Sequence, residues 1–203
     1  MARKKAYEEK IVKLVLIKEG TYDLKEELTI TYPISIHGAG QDNTILQRKG
    51  IVIQGTKEEK KRVHMQGMTM KGSSQCGLYS KNGLSFLCKD MTFTQCGRTG
   101  VWAYNTKGRL INCVTTQCKW SGIICFTNAL IELEGDQTKV DGNGTDEYDY
   151  GLFTYDTSSI IHLLFPLTKE FVSTNNRGGG NYRSDAGTIE TVAAFNTNSS
   201  TAN

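Results

Sequence analysis

The chain has 203 residues and a net charge of +3, and 22% of its residues are charged and 9% aromatic. This composition, with 21 glycines against two prolines, excludes a disordered chain and predicts one compact domain or one short solenoid. The densest basic run, from Lys57 to Arg62, is interrupted by Glu58 and Glu59, which favours a solvated loop and no nucleic-acid partner.

The first residues lack the apolar stretch of a secretory signal, and no later run approaches the ~20 apolar residues that a membrane span requires. We therefore expect a cytoplasmic or otherwise intracellular protein with no membrane partner. The six cysteines form no CxxC pair and have no histidine at zinc-finger spacing, so we expect buried reduced thiols and no cofactor. They are Cys76, Cys88, Cys96, Cys113, Cys118 and Cys125.

A glycine followed by alternating apolar residues occurs four times along the chain. The glycines are Gly77, Gly100, Gly122 and Gly151, at spacings of 23, 22 and 29 residues. The same spacing recurs where Met68-Thr69-Met70 lies 23 residues before Met91-Thr92-Phe93. A helical repeat would place apolar residues three and four positions apart, whereas these alternate as in short strands. A period of 22 to 23 residues predicts an all-β chain, folded as a single parallel β-helix with one repeat per turn.

The segments upstream of this repeat carry a family resemblance. Gly20-Thr21-Tyr22 is followed by Ile34-Ser35-Ile36-His37-Gly38-Ala39-Gly40 and then by Thr44-Ile45-Leu46. This order resembles the opening coils of the pectin-lyase-like superfamily of right-handed parallel β-helices, over roughly residues 13 to 165. The resemblance implies a right-handed solenoid but no single activity, because that superfamily includes lyases, hydrolases, epimerases, adhesins and non-catalytic carbohydrate-binding modules.

We expect three parts along the chain. Residues 1 to 12 would form a short helix that caps the open N-terminal end of the solenoid. Residues 13 to 170 would form the coils, with an acidic insertion at 135 to 150 that accounts for the longest glycine spacing. Residues 171 to 203 would contain a loop, a last strand and a polar tail.

Side chains of a strand alternate between its two faces, which predicts the orientation of the repeated strands. If Leu78 and Ser80 point inward, the equivalent residues of the other coils form two inward columns, one of branched side chains and one of small side chains. If instead the alternate residues of each strand pointed inward, Lys81 would be buried. Most outward residues are then aromatic. The candidate ligand-binding residues are Tyr79, Lys81, Trp102, Tyr104, Phe126, Phe153 and Tyr155, with Ile124 in the same band.

Soluble proteins rarely leave an apolar surface of this size exposed, so we expect a ligand, a partner or another segment of the chain to cover the aromatic band. One possibility is a polysaccharide whose sugar rings stack on the aromatic faces. Another is a protein partner, since Trp and Tyr are common anchors at protein interfaces. The third is the chain itself, with the insertion at 135 to 150 or the tail after Phe171 folded back over the band.

The chain lacks the paired Asp, Gly-His-Gly and Arg-Ile-Lys motifs of polygalacturonase-type enzymes, so we name no catalytic residue. Asp141 to Asp146 superficially resembles a calcium loop, but it lacks the central glycine and terminal Glu of an EF-hand, and we expect no metal site. We therefore expect a non-catalytic binding module that presents the aromatic band to a carbohydrate or a protein. The rival hypothesis is a carbohydrate-active enzyme, a lyase, hydrolase or epimerase, that uses carboxylates of the acidic insertion. It requires Asp149 and Asp156 to meet Arg109 or Lys81 in one cleft.

Overall fold

The computed structural model describes residues 13 to 56 and 61 to 193. They form a parallel β-helix of about seven turns that is nearly all β, which confirms the predicted fold class. The predicted N-terminal cap, residues 57 to 60 of the basic run and the end of the polar tail lie outside the described residues. Within the described part of the chain, no helix has the length and apolar character needed to cross a membrane.

The strands, numbered along the chain, form two sheets in which successive coils pair in parallel. The larger sheet contains β1 (Leu14–Leu16), β2 (Gly20–Asp23), β4 (Ser35–His37), β5 (Thr44–Gln47), β7 (Val63–Lys71), β9 (Phe86–Thr94), β11 (Lys107–Ile111), β12 (Val114–Thr116), β14 (Leu130–Glu134), β15 (Lys139–Asp141), β17 (Ile160–Leu164), β18 (Ser173–Thr174) and β20 (Thr188–Val192). The smaller sheet contains β3 (Leu28–Ile30), β6 (Ile51–Gln54), β8 (Leu78–Lys81), β10 (Val101–Tyr104), β13 (Ile123–Phe126), β16 (Tyr150–Thr154) and β19 (Gly180–Ser184). One short helix, Lys169–Val172, precedes β18.

The smaller sheet has the strand phase that the sequence predicted. Leu78 pairs with Val101, Val101 with Ile123, and Ile123 with Leu152. These four side chains are at most 1% exposed. Because adjacent rungs lie about 4.8 Å apart, each inward side chain packs on its equivalent in the next coil, and the core is continuous. The second inward column consists of Ser80, Ala103, Cys125 and Thr154, all fully buried.

The repeated glycines mark close approaches between consecutive coils. A Cβ on Gly100 would lie 2.8 Å from the carbonyl oxygen of Gly122, and a Cβ on Gly122 would lie 2.8 Å from that of Gly151. Gly77 has the same relation to Gly100. A backbone oxygen cannot move away without disturbing the ladder of hydrogen bonds, so only a residue without a Cβ fits at these positions. The glycines thereby set the register of the smaller sheet.

The predicted insertion at 135 to 150 divides between two loops. Paired residues are 23 apart between β11 and β14, 25 apart between β12 and β15, and 29 apart between β13 and β16. The loop after β15 is tied to the coil: Asn143 is fully buried, accepts from the backbone N–H of Cys118 (3.1 Å) and donates to the carbonyl oxygen of Thr115 (3.0 Å). The segment therefore contains a regular rung, β15, and a second loop that packs on the solenoid.

All six cysteines are free and buried, in agreement with the reduced thiols expected from their spacing. Burial raises the pKa of Cys76 to about 11 and that of Cys113 to about 12. These thiols stay protonated at neutral pH, and they fill the core as small apolar groups.

Two histidines lie side by side on the larger sheet. The ring centroids of His37 and His64 are 5.2 Å apart in an edge-to-face arrangement. Both Nε2 atoms are buried without a hydrogen-bond partner among the described residues. Burial lowers the pKa of His64, and repulsion from His37, Arg62 and Lys89 lowers it further. Protonation of His64 therefore costs more in the folded protein than in the unfolded chain.

Replacing Gly100 with Ala should lower the free energy of unfolding by about 1 to 3 kcal/mol, because the new Cβ would press on the Gly122 carbonyl. Urea unfolding followed by circular dichroism measures this change. Ser74→Ala, at an exposed position in a neighbouring corner, is the control and should shift stability by less than about 0.5 kcal/mol. A G100A variant as stable as the wild type would contradict the close approach.

Because folding lowers the pKa of His64, the protein should lose stability as the pH falls. Since the folded-state pKa lies below the ordinary value of 6.5, the unfolded chain binds the proton first as the pH falls. Stability should be unaffected by this group above pH 6.5 and should fall as the pH drops from 6.5 through the folded-state pKa. Urea midpoints measured along this range should fall more steeply for the wild type than for His64→Gln. Equal slopes would show that His64 does not carry the effect.

Candidate ligand-binding face

The outer surface of the smaller sheet presents two columns of side chains. The first column, in register from coil to coil, contains Thr29, Val52, Tyr79, Trp102, Ile124, Phe153 and Arg183. The second contains Gln54, Lys81, Tyr104 and Phe126, and Tyr155 follows directly after β16. The seven residues predicted as a ligand-binding band therefore lie on one face. They divide into two parts with different geometry.

The part nearer the C-terminus is an aromatic ladder formed by Tyr104, Phe126 and Tyr155. The ring centroids of Tyr104 and Phe126 are 5.8 Å apart with planes 17° from parallel, and those of Phe126 and Tyr155 are 4.7 Å apart. Phe126 thus has a neighbouring ring on each side. The near-parallel rings of Tyr104 and Phe126 lie on consecutive rungs, so each covers part of the other's face. The ladder therefore leaves less ring face open to a sugar than separate rings would.

The part nearer the N-terminus is a cleft of about 430 Å³. Its floor includes Thr29, Val52, Tyr79 and Trp102, which come from four consecutive rungs. Gln75 and Arg98 precede their strands and line one side, whereas Gln54 and Lys81 end their strands and line the other. Glu27, Gly50, Ile51 and Cys76 complete the lining.

Aromatic rings hold the two cations of the cleft in place. The ammonium of Lys81 lies 5.4 Å from the ring centroid of Tyr79, and the guanidinium carbon of Arg98 lies 4.9 Å from that of Trp120. Within the described residues, neither Lys81 nor Arg98 forms an ion pair with a carboxylate. Cation–π contact contributes about 0.5 to 1 kcal/mol at exposed sites and leaves the N–H groups able to donate to a ligand. The cleft therefore offers two cations, against the one carboxylate of Glu27 in its described lining.

The aromatic floor also has polar atoms. Trp102 Nε1 is a buried donor that has no acceptor among the described residues. Burial raises the pKa of Tyr79, so its phenol stays protonated at neutral pH. The ring of Trp102 packs against Tyr79 with centroids 5.5 Å apart and planes at 51°, so these rings do not cover each other's faces as fully as parallel rings would. This half-buried pair gives the cleft a surface on which a ring-shaped ligand can stack.

The third predicted cover, a segment of the chain folded back over the aromatic band, accounts for only part of the band. The described part of the tail adds strand β19 beside β16, with Phe153 paired to Arg183, and so extends the sheet. The loop after β15 bonds to the neighbouring corner instead, where Gly144 donates to the carbonyl oxygen of Trp120 at 3.0 Å. Tyr150, at the end of the predicted insertion, does contact Phe153, with ring centroids 5.4 Å apart. The described residues of the chain thus cover one end of the band and leave the cleft open.

The carboxylates of the rival enzyme hypothesis cap turns. Asp149 accepts from the backbone N–H of Asp146 at 3.0 Å, and Asp156 accepts from that of Thr127 at 2.6 Å. Arg109 belongs to the larger sheet, where its Nε donates to Glu134 at 2.9 Å. None of these groups lines the cleft, and among the described residues no three or more His, Cys, Asp or Glu side chains are grouped to hold a metal ion.

Sequence reasoning identified the outward aromatic residues and Lys81 but missed the other residues at the sides of the cleft. Gln75, Arg98 and Trp120 each lie two positions before a repeated glycine, so the same register aligns them in a corner column. That spacing was a usable signal. Gly50 to Gln54 repeats the glycine motif one coil before Gly77, so Gln54 aligns with Lys81 and could have been found in the same way. Glu27 stands where its own coil would have the glycine, and it carried no comparable signal.

Comparison with models of protein families finds no matching family, and comparison with curated proteins finds no matching relative.

The ladder geometry predicts that Phe126 matters for stability. Phe126→Ala should lower the free energy of unfolding by about 1 to 3 kcal/mol, because it removes ring contacts on both sides. Tyr155→Ala, at an end position that is 51% exposed, is the matched control and should cost less. Urea unfolding of both variants measures the difference. A smaller loss for Phe126→Ala than for Tyr155→Ala would contradict the ladder.

Proposed function

We propose that the chain is a non-catalytic carbohydrate-binding module of the pectin-lyase-like type, and that the cleft around Tyr79 and Trp102 is its binding site. The observation that carries this proposal is the combination of an open aromatic floor with polar side chains on both sides. A sugar ring has an apolar face of C–H groups and a rim of hydroxyls. Aromatic floors and flanking amide or charged groups complement these two features.

The size of the cleft supports a saccharide ligand. Its volume of about 430 Å³ falls within the range of roughly 300 to 1,000 Å³ typical of small-molecule sites. The side chains available to hydroxyl groups include both donors and acceptors: Gln54 and Gln75 offer amides, and Glu27 offers a carboxylate. An extended polysaccharide could continue from the cleft across Ile124, which lies beside Trp102 on the next rung.

A protein partner is the second candidate, and it is favoured by a different observation. Tyr155 is 51% exposed at the end of the ladder, and it packs on Phe126 with ring centroids 4.7 Å apart. An exposed tyrosine held by a neighbouring ring suits packing against the side chains of another protein. This candidate would use Tyr104, Phe126, Phe153 and Tyr155, whereas the carbohydrate would use Tyr79, Lys81 and Trp102.

We favour binding without catalysis because glycoside hydrolysis requires two carboxyl groups across the sugar, roughly 5 to 9 Å apart. Glu27 is the one carboxylate that lines the cleft among the described residues. The part of the chain that the structure describes places no second carboxylate there to act with it as nucleophile or base. We propose that the module acts inside the cell, where a reducing compartment would keep its six free cysteines as thiols.

A glycan array followed by affinity electrophoresis tests the proposal. We expect the wild-type protein to be retained by at least one polysaccharide. Trp102→Ala should weaken this retention about tenfold or more, because it removes the largest apolar surface on which a sugar ring would pack. Gln75→Ala, which removes one of the flanking amides, is a second variant and should also weaken binding. Tyr155→Ala, on the same face but outside the cleft, is the control and should leave retention unchanged.

The outcomes separate the hypotheses. Release of new reducing ends from the bound polysaccharide would contradict a non-catalytic module. Loss of retention in Tyr155→Ala with full retention in Trp102→Ala would move the site to the ladder. Absence of retention by every glycan would overturn the carbohydrate proposal. The melting temperature of each variant is measured alongside, so that unfolding is not mistaken for lost binding.

A further inference from the structure

The two sides of the cleft each contribute a cation, and the charge between them is unbalanced. Arg98 lies in the corner before β10, whereas Lys81 is the last residue of β8, so they face the floor from opposite ends of their strands. Glu27 is the one carboxylate that faces them among the described lining residues. Two cations against one anion leave an excess of positive charge in the described lining, and neither cation forms an ion pair there.

We infer that the cleft recognises a sugar carrying a tetrahedral oxyanion, a sulfate or phosphate ester, held between Arg98 and Lys81. This inference rests on the proposed carbohydrate function and specifies its ligand. A tetrahedral ester presents three terminal oxygens in divergent directions and can accept from donors on two sides at once. A planar carboxylate directs both of its oxygens within one plane and is best matched by a single guanidinium.

Trp120 is a positioning residue for this recognition. It is not part of the cleft lining, but its ring lies under the Arg98 guanidinium at 4.9 Å. The ring is 39% exposed and occupies the equivalent corner position one coil further on, two residues before Gly122. The cation–π contact orients the guanidinium while leaving its N–H groups free for a ligand oxygen. Trp120 thereby sets the position of one half of the anion site without touching the ligand.

The matched ligands for the test are galactose, galactose 6-sulfate, galactose 6-phosphate and galacturonate, which share a ring and differ at one carbon. Isothermal titration calorimetry of the full chain gives the affinity for each. We expect at least one of the two esters to bind about tenfold or more tightly than galactose and galacturonate, as charge-assisted hydrogen bonds on two sides would provide. Comparison of the sulfate with the phosphate identifies which ester the cleft prefers.

Four variants connect the affinity to the residues. Lys81→Gln and Arg98→Gln should each remove most of the ester preference and should weaken its dependence on salt concentration. Lys119→Gln, an exposed cation in the adjacent corner that does not line the cleft, is the matched control and should keep the preference. Trp120→Leu should reduce ester binding while leaving galactose binding unchanged, and in combination with Arg98→Gln it should cause no further loss.

Equal affinity for galactose and both esters, or tighter binding of galacturonate than of either ester, would overturn the oxyanion inference and leave the carbohydrate proposal standing. An ester preference that survives in both Lys81→Gln and Arg98→Gln would also overturn it. If neither the four sugars nor any glycan on the array binds, the carbohydrate proposal itself fails. Trp120→Leu with unchanged ester affinity would remove the positioning role.

Discussion

The structure depends on the in-register parallel stacking of coils, enforced in the smaller sheet by backbone contacts that exclude a Cβ. Gly77, Gly100 and Gly122 each bring the chain within 2.8 Å of the next coil, measured from the position of an absent Cβ. This approach aligns equivalent residues of successive coils, so that each inward residue packs on its own equivalent. Every column on the outer face inherits that alignment. The stacking of rings and the placement of charges are therefore consequences of one backbone constraint.

The same alignment has opposite effects on the two parts of the face. Where Tyr104, Phe126 and Tyr155 follow one another, the rings come within 4.7 to 5.8 Å and cover one another's faces. Where the repeat of ring on ring is broken, at Tyr79 and Trp102 beside Val52, a cleft opens with the rings tilted. In a column of this kind, part of each ring's surface is already in contact with the ring of the next coil. A ligand is best accommodated where the column changes from large to small side chains.

The alignment of coils also decides which neighbour each cation has. Arg98 and Trp120 occupy equivalent positions in adjacent coils, and the guanidinium lies on the ring. On the larger sheet, by contrast, Arg109 is paired with Glu134 and with Glu132. A cation held by an aromatic ring keeps its full charge for an outside partner, whereas a cation held by a carboxylate does not. The difference in neighbours makes one arginine a candidate ligand group and the other a stabilising contact.

The sequence by itself determined the β-helix, its period and the inward phase of its strands, since these follow from local alternation and from glycines 22 or 23 residues apart. It also identified the outward aromatic residues. Only the tertiary structure decided which ring faces are free, and that Asp149 and Asp156 cap turns outside the cleft. It also brought Glu27, Gln54 and Arg98 to one cleft from separate coils. The physical reason is that a repeat specifies which residues share a column, whereas ring tilt, cavity shape and charge pairing depend on the side chains of neighbouring columns and coils.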